Sequence, residues 1–146
     1  MKKEFVHSTD CDDIEMGVRE VIDGRRVYVT PEGNVYPSIT SILGQQPKPG
    51  IEEWKEKIGH QEANKIMKES AALGTMVHSL CEDYLYNEKL QCEDQEAISV
   101  FNRLRFLLGN IDNIYCIEAP LHSDILKVAG TADCIAEYNG VLSVID

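Results

Sequence analysis

Basic side chains are in short supply in this 146-residue chain: fourteen Lys and Arg stand against twenty-five Asp and Glu, a formal charge of −11. Taken alone, that balance argues against a sequence-independent grip on phosphates, which normally comes from a basic surface. Long apolar runs are missing as well, and none approaches the roughly 18–20 residues of a membrane span. Met1-Lys2-Lys3 opens like a secretory signal, but Glu4 and the polar stretch behind it supply no apolar segment. A soluble, intracellular, cytoplasmic protein is the expectation. Cysteine is scattered and odd in number (Cys11, Cys81, Cys92, Cys116, Cys134), with no C-x-x-C. That speaks against a zinc knuckle and a disulfide framework, and for reduced thiols. Ten Gly and five Pro exclude collagen-like and low-complexity classes. Hydrophobic residues at 43% and charged residues at 27% are ordinary globular usage. The length fits one domain on a prior of roughly 100–200 residues each.

The chain shows no internal repeat and no linker. Its first dozen residues are polar and are expected to be frayed or disordered. Arg25–Thr30 reads as a strand, Pro31-Glu32-Gly33-Asn34 as a turn and Val35-Tyr36 as a short return strand. Ser38–Leu43 reads as a short helix that stops at Gly44, and Gln45–Gly50 as a loop. Helical spacing dominates from Ile51 to Asn87, with Ile51, Trp54 and Ile58 on one face and Ala63, Ile66 and Met67 on another. Gly74 is expected to interrupt, and Thr75 to cap the restart. Glu93–Leu108 is a further amphipathic helix with Ala97, Ile98, Phe101, Leu104 and Leu108 on its buried stripe. The period then changes to that of strands over Ile114–Leu121, Val128–Tyr138 and Val141–Asp146. The sequence order is therefore α+β: a small β element, a helical middle and a β-rich end.

Asn139-Gly140 is the strongest short hairpin signal in the chain, a two-residue type I′ turn. Such a turn makes Tyr138 face Val141 and Glu137 face Leu142, and it carries on to Asp133 facing Asp146 on one side of the sheet. Like charges opposite each other are destabilising, and the remedies are a shared proton or a bound cation. The alternative is two solvated strand ends that tolerate the repulsion. Gly130 beside the acid permits close backbone approach, and Val144-Ile145 predicts a buried strand leading to Asp146, where an unpaired carboxylate is costly. Asn110–Asp146 holds six acids and one base, Lys127. In the helical middle His78 and Glu82 are four apart and share a face, either as a functional pair or as a surface histidine beside a glutamate.

Four segments together resemble the PD-(D/E)xK nuclease superfamily. The nearest likeness is to its RecB-like branch, which includes phage exonucleases and the mitochondrial genome maintenance exonuclease. They are Tyr36-Pro37-Ser38-Ile39-Thr40-Ser41-Ile42-Leu43, Gly74-Thr75-Met76-Val77-His78 with Glu82, Gly130-Thr131-Ala132-Asp133, and Val144-Ile145-Asp146, in the family's order. The resemblance implies a restriction-endonuclease-like core, a mixed sheet flanked by helices, in a single domain over 1–146 whose C-terminal part is missing. It implies Asp133 and Asp146 as catalytic, metal-binding acids and His78 as a third metal ligand, with Glu82 and Glu118 behind them. The ion would be Mg²⁺ or Mn²⁺, and the substrate DNA. Tyr36, Ser38, Thr40, Trp54 and Thr75 become candidates for contact with the strand; for Trp54, a lone Trp at helical spacing, a core position is the other reading. Lys48, Lys55, Lys57, Lys65 and Lys68 form either a local basic stripe or solvated helix faces alternating with glutamates.

The family also places a lysine two residues after the second acid, beyond Asp146. The expectation is thus a metal-dependent DNA exonuclease of replication, recombination or repair, either a fragment or a truncated relative. A phage origin would put it in the host cytoplasm, with a helicase or replication protein as partner. The alternative is a non-catalytic acidic module of the same fold that binds DNA or protein.

Overall fold

The computed structural model describes residues 3–146. The elements run β1 (Val18–Ile22), β2 (Arg25–Val29), β3 (Val35–Pro37), α1 (Ile39–Leu43), α2 (Pro49–Ile58), α3 (His60–Leu85), α4 (Gln95–Leu108), β4 (Ile111–Ser123), β5 (Val128–Tyr138) and β6 (Val141–Ile145). The architecture is mixed α and β, with two three-stranded antiparallel sheets ordered β1-β2-β3 and β4-β5-β6. No helix among the described residues is long and apolar enough to cross a membrane. The chain divides into two compact units: one takes the stretch through Phe5 with Pro47–Asn110, the other Val6–Gln46 with Ile111–Asp146.

In the helical unit, Pro49 opens α2 inside the stretch expected to be loop, because its missing N–H and fixed φ suit a first helical position. The break expected at Gly74 falls instead at Gly59, whose φ of 92° is one that L-residues rarely adopt. From there α3 runs unbroken through Gly74 for 26 residues. Thr75 is therefore no cap: its hydroxyl donates to the carbonyl of Ala71 at 3.0 Å, one turn back along the same helix. Val77, Leu80, Tyr84 and Leu85 are the buried stripe of α3. Of the earlier apolar positions only Ala63 is buried, while Ile51, Ile58, Ile66 and Met67 are exposed. Periodicity tells which residues share a face; it does not tell whether anything lies over it. In α4, Ala97 and Phe101 are buried as expected, but Leu104 is exposed.

The first dozen residues are not frayed where they are described. Phe5 is buried, and its ring packs edge-on against Tyr84 at 5.0 Å, with Tyr84 in turn 5.6 Å from Phe101. Asn87 fastens the Phe5 backbone on both sides, accepting from its N–H at 2.8 Å and donating to its carbonyl at 2.9 Å. A single buried aromatic and one amide clamp outweigh the polar composition around them.

In the strand unit, the unforeseen β1 pairs with β2 through Asp23-Gly24, both at positive φ, the same two-residue turn chemistry as Asn139-Gly140. Short α1 begins after Ser38 and lies against β5. Ser38 makes a parallel bridge with Ala129, and a Cβ on Gly130 would sit 3.0 Å from the Ile39 side chain. Two further fasteners join β2 and β3 to the long hairpin: Tyr28 Oη and Thr131 Oγ1 at 2.9 Å, and the Tyr36 hydroxyl donating to Asp124 at 2.6 Å. That last bond raises the Tyr36 pKa, because an ionised phenol would face the Asp124 carboxylate.

Asp94 caps α4, its carboxylate accepting from the Ala97 N–H at 2.8 Å. Asp94→Ala is expected to cost about 1 kcal/mol, read as a lower urea midpoint with an unchanged slope. An unshifted midpoint would show that the cap contributes nothing.

Candidate metal centre

The geometry of the candidate site begins at the β5–β6 turn. Asn139 (φ 51°) and Gly140 (φ 78°) both take the left-handed region that a type I′ turn demands. The ladder follows from it: Tyr138 pairs with Val141, Glu137 with Leu142, Ile135 with Val144 and Cys134 with Ile145. Asp146 is the next residue on, opposite Asp133 by register and one step past the last bonded pair.

The other side of Asp133 is occupied too. Ile117 pairs with Cys134 and Ala119 with Ala132, so Glu118 lies across from Asp133. A carboxylate oxygen of each is within 4.8 Å of the other. Three acids, Glu118, Asp133 and Asp146, thus form one row across β4, β5 and β6. Asp133, in the middle, is half-buried; Glu118 and Asp146 are exposed. Glu118 also stands at φ 54° in the middle of a strand, a conformation that costs an L-residue about 1–2 kcal/mol. Strain of this kind gathers where side-chain direction matters more than stability.

The expectation of a buried strand leading to Asp146 is not met. Val141, Leu142 and Val144 are 65%, 64% and 63% exposed. β6 is the outer strand of its sheet, and an apolar run reads alike whether or not a layer covers it. The charge repulsion in the row therefore comes from register alone. Behind the acids the sheet is apolar and tight, with Ala132, Cys134 and Ala136 all buried. Burial, then the neighbouring Cys116 and Asp133, pushes the Cys134 thiol up to about 11. All five cysteines are free thiols.

The remaining candidates fall elsewhere. On α3, His78 is half-buried and sits 3.4 Å from Glu82, so the shared helix face is real. Tyr36 is 8% exposed and packs with Tyr28 and Ala129. Ser38 is 1% exposed, its hydroxyl 2.7 Å from that of Thr40. Burial leaves both Tyr36 and Ser38 little surface to offer a strand. Thr40 and Thr75 are exposed, and Trp54 is half-buried.

No family model matches the chain. It is similar to the mouse protein named mitochondrial genome maintenance exonuclease 1, at 28% identity over 123 residues, 77% of this chain and 36% of that protein. The human protein of the same name is 27% identical over 124 residues, again 77% of this chain and 36% of the relative. The Xenopus tropicalis protein is 28% identical over 121 residues, 75% and 35%. The chain spans about a third of the length of the curated relatives it matches. The similarity is weak and consistent with a nuclease lineage.

The place of Glu118 opposite Asp133 was not readable from spacing along the chain. β4 changes register between Asp112 and Ile114 and again between Ile114 and Cys116, which breaks any count made from its start. Counting back from the other end would have found it: Ser123 pairs with Val128 across a four-residue turn, Asp124–Lys127.

Glu118→Gly and Glu118→Ala both remove the carboxylate, but only glycine relieves the positive φ. The glycine variant is expected to be the more stable by about 1 kcal/mol, measured as the difference between their denaturant midpoints. Equal midpoints would mean that the backbone at residue 118 carries no strain.

Proposed function

We propose that this chain carries the metal-binding part of a DNA exonuclease of the PD-(D/E)xK type, on a restriction-endonuclease-like core within one domain. The observation that carries this reading is the acid row: Asp133 has Glu118 within 4.8 Å on one side and Asp146 opposite it on the other. Such a row is destabilising by itself, and a divalent cation offsets the repulsion of all three acids at once. The ordered motifs and the weak similarity to proteins named exonucleases support the same reading.

The donors are chemically apt. Carboxylate oxygens suit Mg²⁺ or Mn²⁺, and an imidazole shifts the preference towards Mn²⁺. In this proposal Asp133 and Asp146 hold the ion and Glu118, with a carboxylate oxygen within 4.8 Å of one of Asp133, adds a carboxylate; the family resemblance implies His78 as the nitrogen ligand. Glu82, already 3.4 Å from His78, orients its ring from behind. Such an ion, when bound, polarises a phosphoryl oxygen and acidifies water. Asp133 is half-buried, between the buried Ala132 and Cys134 along β5.

DNA is the proposed substrate. A charge of −11 leaves phosphate contact to local groups: the Lys48–Lys68 stripe, exposed Thr40 and Thr75, and Trp54 as a stacking ring. Activity inside the cell at DNA ends, beside a helicase or replication protein, belongs to the same proposal. The relatives matched are vertebrate proteins and lend no support to a phage source.

Metal binding is tested first, by thermal melting of the 146-residue chain with and without Mn²⁺. The ion is expected to stabilise the wild type, by about 2.7 kcal/mol at a hundredfold excess over its Kd, and to leave Asp133→Ala unmoved. A melting point indifferent to Mn²⁺ in the wild type, or still shifted in Asp133→Ala, would remove the metal centre. A longer chain with a lysine two residues past Asp146 is expected to degrade labelled DNA with Mn²⁺ and to stop with chelator. Metal binding without cleavage by that longer chain would favour the acidic binding module instead.

A further inference from the structure

The face of β5 that carries Asp133 is covered over part of its length by the smaller sheet. Side chains alternate along a strand, so Ala129, Thr131 and Asp133 share that face. Ala129 is buried with Tyr28 and Tyr36, whereas Thr131 and Asp133 are half-buried. On β4, Pro120 pairs with Thr131, and Glu118 lies across from Asp133. Thr131 therefore stands between the aromatic cover and the acid row, about 7 Å along the strand from Asp133.

The Thr131 hydroxyl lies 2.9 Å from that of Tyr28, and burial decides which of the two donates. Tyr28 is 3% exposed, and Thr131 is the one partner its hydroxyl has among the described residues. A buried phenol O–H is left unmatched unless it donates, and the phenol is the more acidic hydroxyl of the pair. Tyr28 donates, and Thr131 Oγ1 accepts. The Thr131 proton then has no acceptor among the described residues. With a lone pair engaged by the phenol, that O–H turns away from Tyr28, on the face that Thr131 shares with Asp133.

We propose that Thr131 donates a hydrogen bond to a phosphate oxygen of the DNA strand beside the acid row, with Tyr28 as its positioning residue. The inference rests on the exonuclease reading and adds to it a contact with the substrate. Ionised acids offer acceptors only and repel a phosphate, whereas Thr131 offers a proton. On a chain of charge −11, a neutral donor meets an anion without a basic side chain. Hydroxyl contacts to phosphate fix the place of a strand without reading its bases, as an enzyme that degrades any sequence requires. Tyr28 keeps the Thr131 proton from being turned back into the small sheet, so the donor is oriented before the strand arrives.

Fluorescence anisotropy of a labelled single-stranded oligonucleotide, with the 146-residue chain and Mn²⁺ below every melting midpoint, tests the contact. Thr131→Val keeps the side chain's shape without the hydroxyl and is expected to weaken binding about tenfold. Thr131→Ser is expected to restore most of the loss. Tyr28→Phe is expected to weaken binding in the parent chain and to change nothing in a Thr131→Val background, because it acts through that hydroxyl alone. A fastener with only a structural role would lower the melting point and leave the affinity of the folded protein unchanged. The rise in melting point with Mn²⁺ is expected to survive Thr131→Val, since the acids hold the ion. Loss of that rise in the wild type would remove the metal centre, and this contact with it. A normal rise, with Thr131→Val binding DNA as tightly as the wild type, would overturn the Thr131 contact and leave the metal centre standing. Equal losses in Thr131→Val and Thr131→Ser, or additive losses for Tyr28→Phe and Thr131→Val, would overturn it as well. Should Thr131→Val fail to fold, Tyr28→Phe decides: wild-type affinity in that variant overturns the proposal.

Discussion

Carboxylates side by side across antiparallel strands repel one another, and much of the β4–β6 sheet answers to that fact. The Asn139-Gly140 turn brings Asp146 opposite Asp133, and the four-residue turn before Val128 brings Glu118 to the other side. Neither turn can slip by one residue without turning every side chain of its strand to the opposite face. Small side chains on the reverse face, Ala132, Cys134 and Ala136, let the sheet pack tightly behind the acids. The repulsion is thus built into the ladder by its two turns.

The same region holds its acids by more than hydrogen-bonded strands. Gly130 admits Ile39 at a separation that a Cβ would contest, and the Tyr28–Thr131 and Tyr36–Asp124 bonds grip the long hairpin from the smaller sheet. These fasteners sit on the N-terminal half of β5 and on the turn before it, a few residues ahead of Asp133. Positive φ at Glu118 is the opposite kind of feature, a local cost within an otherwise regular strand. Rigid support next to local strain is the pattern expected where side-chain placement has been favoured over stability.

The helical unit follows a different logic. Its first half, α2 and the start of α3, has Ala63 as its one buried residue, while the later turns of α3 bury Val77, Leu80, Tyr84 and Leu85. His78 and Glu82 lie in that later, better-anchored stretch. A histidine placed there is held by a helix whose rotation is set by packing, which exposed helix faces cannot do. Phe5, clamped by Asn87 and stacked edge-on against Tyr84, adds to that anchoring from a segment whose polar composition concealed it.

Local chemistry was enough to determine the α+β order, the type I′ turn, the β5–β6 register that leads towards Asp133 and Asp146, and the common face of His78 and Glu82. Each depends on φ preferences or on a fixed period over a few residues. Asp23-Gly24 was equally legible and would have revealed β1. Tertiary structure decided the rest. Whether Gly59 or Gly74 breaks the helix depends on the φ each must adopt, and at Gly74 none is required. The exposure of Val144 and the burial of Phe5 depend on what lies over them, which hydropathy does not encode. Glu118 came to stand beside Asp133 through the regular ladder that runs back from the Asp124–Lys127 turn, whereas the start of β4 is shifted twice and gives no such count. Periodicity is a property of one segment, whereas register and burial belong to pairs of segments, and only the folded chain brings those pairs together.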